Sequence, residues 1–153
     1  SYKHIQIMKN IFLVLVIASY FIGCTPKTSS ENEQDSSVAE EAAIGGVSFL
    51  NINDGDSLTS PFLLEMGVEG MVVEPKGEPK PGVGHHHLLI NDGAMSEGGV
   101  IIADSTHIHY GGGQTSDSIS LVPGSYMLTL QFGDGMHVSY GEKWAKTINV
   151  TVK

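Results

Sequence analysis

Seven histidines occur in this chain, and six of them fall into three groups. His85, His86 and His87 are consecutive. His107 and His109 are two residues apart, and His137 stands alone. His4 lies far upstream. Neutral imidazole is the commonest protein ligand for transition metals, and it suits Cu(II), Zn(II) and Ni(II). In an extended chain, residues i and i+2 share a face. His85 and His87 therefore point one way, and His86 points the other way with Leu88 and Ile90. His107 and His109 likewise share a face. Two imidazoles at this spacing can reach one ion, and a third from another loop completes a set. The candidate metal ligands are His85, His87, His107, His109 and His137, with copper or zinc as the expected ion. Asp104 and Asp134 are candidates to orient a ligand through its second ring nitrogen. Met95 and Met136 could offer a thioether to Cu(I).

The same residues support a second reading. A histidine in a glycine-rich loop often donates to a backbone carbonyl and holds the loop. His86, on the presumed core face, is expected to be such a hydrogen-bonded buried histidine. On this reading the whole cluster is scaffolding in a non-catalytic binding or structural module. A surface recognition patch is another use, and a redox metalloenzyme a further one. The enzyme needs an open coordination position.

Other chemistry finds little support. There is no Gly-x-Ser-x-Gly nucleophile elbow. Gly111-Gly112-Gly113-Gln114 precedes no helix and no Lys-Ser/Thr pair, so it is a tight turn rather than a phosphate loop. No acidic pair stands out as an acid/base couple. The expectation is a protein without catalytic residues. Asp54-Gly55-Asp56 lacks the rest of a calcium loop and reads as a turn. Trp144, with Tyr140 and Tyr110, could form an aromatic platform, but a single Trp near a strand start is more often a core anchor.

Short β-type runs must position these residues. Breakers recur about every ten residues between Val47 and Lys153, among them Asn91-Asp92-Gly93, Pro123-Gly124 and Gly133-Asp134-Gly135. Between them the pattern predicts strands at Val47–Asn51, Phe62–Val68, His85–Ile90, Val100–Ala103, Ser118–Leu121, Tyr126–Phe132 and Lys146–Val152. Tyr126, Leu128, Leu130 and Phe132 alternate with polar or flexible residues, as do Ile148, Val150 and Val152. About seven such strands predict an all-β, immunoglobulin-like antiparallel β-sandwich over residues 45–153. In that fold the loops carrying the three histidine groups gather at one end. That argument depends on Val100–Ala103 being a strand.

The N-terminal part reads differently. Met8-Lys9-Asn10 begins a positive stretch, Ile11 to Ile22 is mostly apolar, and Cys24 follows. This layout predicts a signal peptide within residues 1–23. The apolar run is shorter than the roughly 20 residues that span a bilayer. Phe21-Ile22-Gly23-Cys24 resembles the lipobox of bacterial lipoproteins, which implies lipidation at Cys24. Residues 24–44 are polar, acidic and free of aromatics, which predicts a disordered tether. The expected partner is then the membrane, reached through acylated Cys24. The expected location is the bacterial cell envelope, on the outer membrane, facing the periplasm or the outside.

Charge excludes one large class. Past the signal peptide, six lysines face all 17 acidic residues, a net charge of −11, and there is no arginine. Nucleic acid is not an expected partner, since nothing would displace phosphate counterions. Cys24 is the single cysteine, so the domain itself offers neither a disulfide nor a thiolate site.

Three blocks carry a family resemblance. They are Gly84-His85-His86-His87-Leu88-Leu89-Ile90, then His107-Ile108-His109-Tyr110-Gly111-Gly112-Gly113-Gln114-Thr115, then Leu128 to His137. Together they resemble the bacterial domain of unknown function 4399. The resemblance implies a small exported or lipid-anchored β-domain with histidines at all six positions. It implies no settled biochemical role. This chain departs from the family pattern after His137, where it reads Val138-Ser139-Tyr140-Gly141.

Overall fold

In the computed structural model the described residues are 45–153. The expected signal peptide, Cys24 and tether lie outside them. Among the described residues nine strands form: β1 (Gly46–Phe49), β2 (Ser57–Leu58), β3 (Phe62–Glu69), β4 (Val72–Val73), β5 (Val83–Ile90), β6 (His107–His109), β7 (Ser116–Ile119), β8 (Gly124–Gly133) and β9 (Ala145–Val152). A 3-10 turn, Glu142–Trp144, leads into β9.

The strands make two sheets in a sandwich-like arrangement. The smaller has the order β1-β3-β7, and the larger β2-β9-β8-β5-β4, with β6 also paired to β5. Alternation drives the packing. Phe62, Leu64 and Met66 of β3 are buried, while Leu63 between them is exposed. Leu128, Leu130 and Phe132 of β8 and Ile148, Val150 and Val152 of β9 join them in one core. Each such side chain contributes about 1.5–3 kcal/mol when fully buried. Phe132, Tyr140 and Trp144 pack against this core with ring centroids 6.3–6.5 Å apart. Tyr110 is buried in it. The aromatic residues are therefore anchors rather than an open platform.

Six of the seven expected strands are present, with ends displaced by a few residues. Val100–Ala103 is not a strand. It makes one isolated bridge, between Val100 and Val138. Its apolar run looked strand-like, but only Ile101 is buried, while Val100 and Ile102 face solvent. The segment is a covering loop that plugs one side chain into the fold. The strand in this region is His107–His109, created by pairing with β5. The sheets are also not purely antiparallel. The two-residue edge strands β2 and β4 pair in parallel with β9 and β5. Such short edges carry no readable alternation.

The faces of the larger sheet differ. On β9 the outward residues Thr147, Asn149 and Thr151 are exposed. On β5 and β8 the outward Leu89, Thr129 and Gln131 are fully buried. Two loops, residues 91–106 and 134–144, cover this half. Buried loops need hydrogen-bond partners, and two polar side chains supply them. Gln131 accepts from the Met95 N–H at 3.0 Å and donates to the carbonyls of Gly141 and Trp144, each at 3.1 Å. The Thr129 hydroxyl donates to the Asp92 carbonyl at 2.7 Å. The histidines meet beneath this cover, on the outer face of the larger sheet, not in a loop cluster at the end of a sandwich.

Candidate metal centre

Strand register brings the ligands together. On β5, His86, Leu88 and Ile90 face the core and His85 and His87 face outward, as the i, i+2 rule requires. His109 stands beside His87 in the β5–β6 ladder. On the other side, His85 is opposite Gly133 of β8. A Cβ at Gly133 would sit only 3.1 Å from the His87 ring and 3.0 Å from Ile101. Glycine there leaves room for imidazoles.

His137 arrives by a strained turn. Its φ is +66°, in the left-handed region that non-glycine residues avoid. Holding a residue there costs of order 1–3 kcal/mol. Asp134 imposes the conformation. Its Oδ1 accepts the N–H groups of Met136 and Val138 at 2.8 and 2.9 Å, and its carbonyl accepts the His137 N–H at 3.0 Å. The His137 carbonyl in turn accepts from Ile101 at 2.8 Å. Nothing in the residue pattern announces this strain.

The result is a four-imidazole cluster. One ring nitrogen from each of His85, His87, His109 and His137 lies within 4.8 Å of the others. Nε2 of His109 is 3.1 Å from Nε2 of His85 and 3.0 Å from Nε2 of His137. Nitrogens bound at about 2.0–2.1 Å to one ion stand roughly 3–4 Å apart, so the two spacings at His109 fit and the 4.8 Å limit on the rest asks for a small inward movement of the rings. It fits a hydrogen-bond network poorly. A neutral imidazole nitrogen carries one proton or one lone pair, so His109 Nε2 can serve only one of its two neighbours. Both nitrogens of His87 and Nδ1 of His85 are buried without a partner. Buried polar atoms are normally satisfied, and each failure costs about 1–3 kcal/mol.

The same burial fixes the charge state. Desolvation, then repulsion from His109 and His137, pushes His85 down to about 4. Desolvation and the neighbouring histidines push His87 down to about 3. His109 is also lowered, first by burial and then by His137 and Lys76. These three rings are neutral at pH 7, with lone pairs free to bind.

The remaining candidates lie elsewhere. His107 shares a face with His109 but sits opposite Leu89, two residues further along the ladder. Its Nδ1 lies 3.2 Å from the Ile102 carbonyl and its Nε2 3.2 Å from Asp92 Oδ2. Both nitrogens face these acceptors rather than the other histidines, so the structure does not bring His107 into the cluster. Asp104 goes with it: Oδ1 accepts from the N–H groups of Thr106 and His107. It caps the entry to β6 and orients no cluster imidazole. Asp134 acts on the His137 backbone rather than on a ring nitrogen, and reaches His85 only through its charge. His86 is buried against Phe132, with ring centroids 5.0 Å apart. Contrary to expectation, neither of its nitrogens has a hydrogen-bond partner.

Glycines are part of the site that residue type alone did not reveal. A Cβ on Gly111 would run into the His109 ring. Gly111→Ala should therefore swing His109 out of the cluster while leaving the fold intact, because no positive φ is required there. A metal titration of that variant should show affinity lowered by about tenfold or more, in the range seen when a ligand loses its support. Unchanged affinity would remove His109 from the site.

The three histidine-bearing segments all fall inside a matched region. Residues 64–153 match the family model described as Domain of unknown function (DUF4399). No curated protein and no solved structure matches the chain. The match spans more than half of the sequence and contains every residue of the four-histidine cluster, and the chain belongs to the DUF4399 family.

Proposed function

We propose that this chain is a lipid-anchored envelope protein that binds one copper or zinc ion through His85, His87, His109 and His137. Its work is storage, delivery or sensing of the metal rather than turnover. One observation carries the reading: four imidazole nitrogens converge within 4.8 Å with fewer hydrogen bonds than a buried histidine network needs. Neutral nitrogen ligands suit both ions, and burial keeps the ligands deprotonated. Two ligands sit on a buried strand, whereas His109 and His137 are half-buried. That asymmetry offers the ion a route in and out, as delivery requires. Anchoring at Cys24 follows from the lipobox-like Phe21-Ile22-Gly23-Cys24 and lies outside the described residues.

The scaffolding reading keeps one specific support. His107 is held between two acceptors, the Ile102 carbonyl and Asp92 Oδ2, each 3.2 Å from a ring nitrogen, and holds its loop. Calorimetric titration of the untagged full chain with Cu(II) and Zn(II) separates the two readings. One-to-one binding is expected, lost in His85→Ala and His109→Ala and kept in His107→Ala. No saturable binding, or equal loss in His107→Ala, would reject the four-histidine centre.

A further inference from the structure

Three of the four ligands stand on paired strands. His85 and His87 belong to β5, and His109 to β6, which is laddered to β5. His137 is the one ligand outside a strand. Asp134 shapes its turn, but a turn by itself does not seat a ligand against a sheet. Pairing with the covering loop does that. The Gly98 N–H donates to the Ser139 carbonyl at 3.0 Å, the Ser139 N–H to the Gly99 carbonyl at 2.8 Å, and the Ile101 N–H to the His137 carbonyl at 2.8 Å. Val100 bridges Val138 antiparallel, which sets Ile101 opposite His137.

These bonds make a two-stranded flap, and one side chain anchors it. Ile101 is 3% exposed, whereas Val100 and Ile102 on either side of it are 57% and 68% exposed. Met136, beside His137, also faces solvent. The Ile101 Cδ1 methyl reaches the bare spot over Gly133. It lies 3.0 Å from where a Cβ there would stand, and His87 Cε1 lies 3.1 Å from the same point. Cε1 is the ring carbon between the two nitrogens. Ile101 therefore packs into the space at the ligand end of His87, while its backbone holds His137. Lifting the flap would return that apolar surface to water, which opposes the motion. Resting on the metal reading above, we propose that Ile101 is the positioning residue of His137 and that the two work as one release flap. With Ile101 seated, His137 completes the four-imidazole set. With Ile101 lifted, His137 leaves with it. The three strand-borne imidazoles then keep the ion while an incoming donor group takes the fourth place.

A double-mutant cycle tests this. Zn(II) affinity by calorimetry, and Zn(II) release to a chelator by stopped flow, are measured on the full chain. The variants are Ile101→Ala, His137→Ala, the two combined, and Ile102→Ala. Ile101→Ala should weaken Zn(II) and speed its release, each by about tenfold, the scale of a residue that supports a ligand. Ile102→Ala, equally apolar but facing outward, should change neither. In the His137→Ala background, Ile101→Ala should add less than about twofold, because its effect runs through a ligand already gone. Should Ile101→Ala not fold, Ile101→Val removes only the Cδ1 methyl and decides by the same comparison. Wild-type affinity and release in the Ile101 variant, or the same loss in both backgrounds, overturns the flap and leaves the metal reading standing. So does an equal effect in Ile102→Ala. A wild type that binds no Zn(II) overturns both.

Discussion

Zn(II) or Cu(II) should raise the unfolding temperature of the full chain, and His87→Leu should sharply reduce that rise while making the metal-free protein more stable. A ligand that binds only the folded state stabilises it by about 4 kcal/mol at a thousand times its dissociation constant. In the metal-free protein the same residue is a burden. His87 is 1% exposed, and neither ring nitrogen has a partner. Leucine has a similar volume and no polar atoms to leave unsatisfied. The gain without metal should be about 1–3 kcal/mol. The loss in metal affinity should be roughly a hundredfold or more, the share of one ligand among four. Denaturant unfolding with and without metal reads both quantities. A destabilised variant that still responds to metal would show His87 to be a packing residue, and the centre would need another fourth ligand.

The second large effect is acid sensitivity. Burial holds His85 and His86 at about 4 and His87 at about 3, against 6.5 for an exposed imidazole. The folded pKa values are depressed, so below pH 6.5 the unfolded chain binds more protons than the native one. Stability is therefore complete above about 6.5 and falls as the pH drops toward 4 and then 3. A single such histidine is worth about 3 kcal/mol at the bottom of the window. His85 and His87 repel each other once charged, so their protons enter as a set. His86 offers a cleaner test, because it faces the core and is not in the cluster. His86→Leu should remove about 3 kcal/mol of the acid loss and leave the metal titration unchanged. Metal should protect against acid as well, since protons must displace it before the ligands charge. A metal-free protein equally stable at pH 7.5 and pH 4.5 would contradict the burial of these rings.

Much of the site was legible from local geometry. Alternation separated His85 and His87 from His86, because side chains on a strand point to opposite faces whatever the strand packs against. It likewise marked Leu128, Leu130, Phe132, Ile148, Val150 and Val152 as core. Spacing put His107 and His109 on one face, but could not say that only His109 lies beside His87. A ladder register decides that, and register is a relation between two strands. Nor could spacing show that Asp134 acts on a backbone turn, or that Val100–Ala103 is a cover rather than a strand. An apolar run looks the same in either place.

By itself, the sequence determined an all-β domain, the two faces of its strands, and imidazole as the chemistry most available to it. These follow from residue type and the two-residue period of an extended chain, which act locally. The tertiary structure decided which four histidines converge and that their nitrogens lack enough partners. It also decided that His137 is held at positive φ and that the backbone of residues 76 and 77 bonds to both Gly111 and Gly135. Those facts depend on which segments of a long chain lie side by side. Contacts between His85, His109 and His137 span tens of residues, and no local preference encodes a distance of that kind.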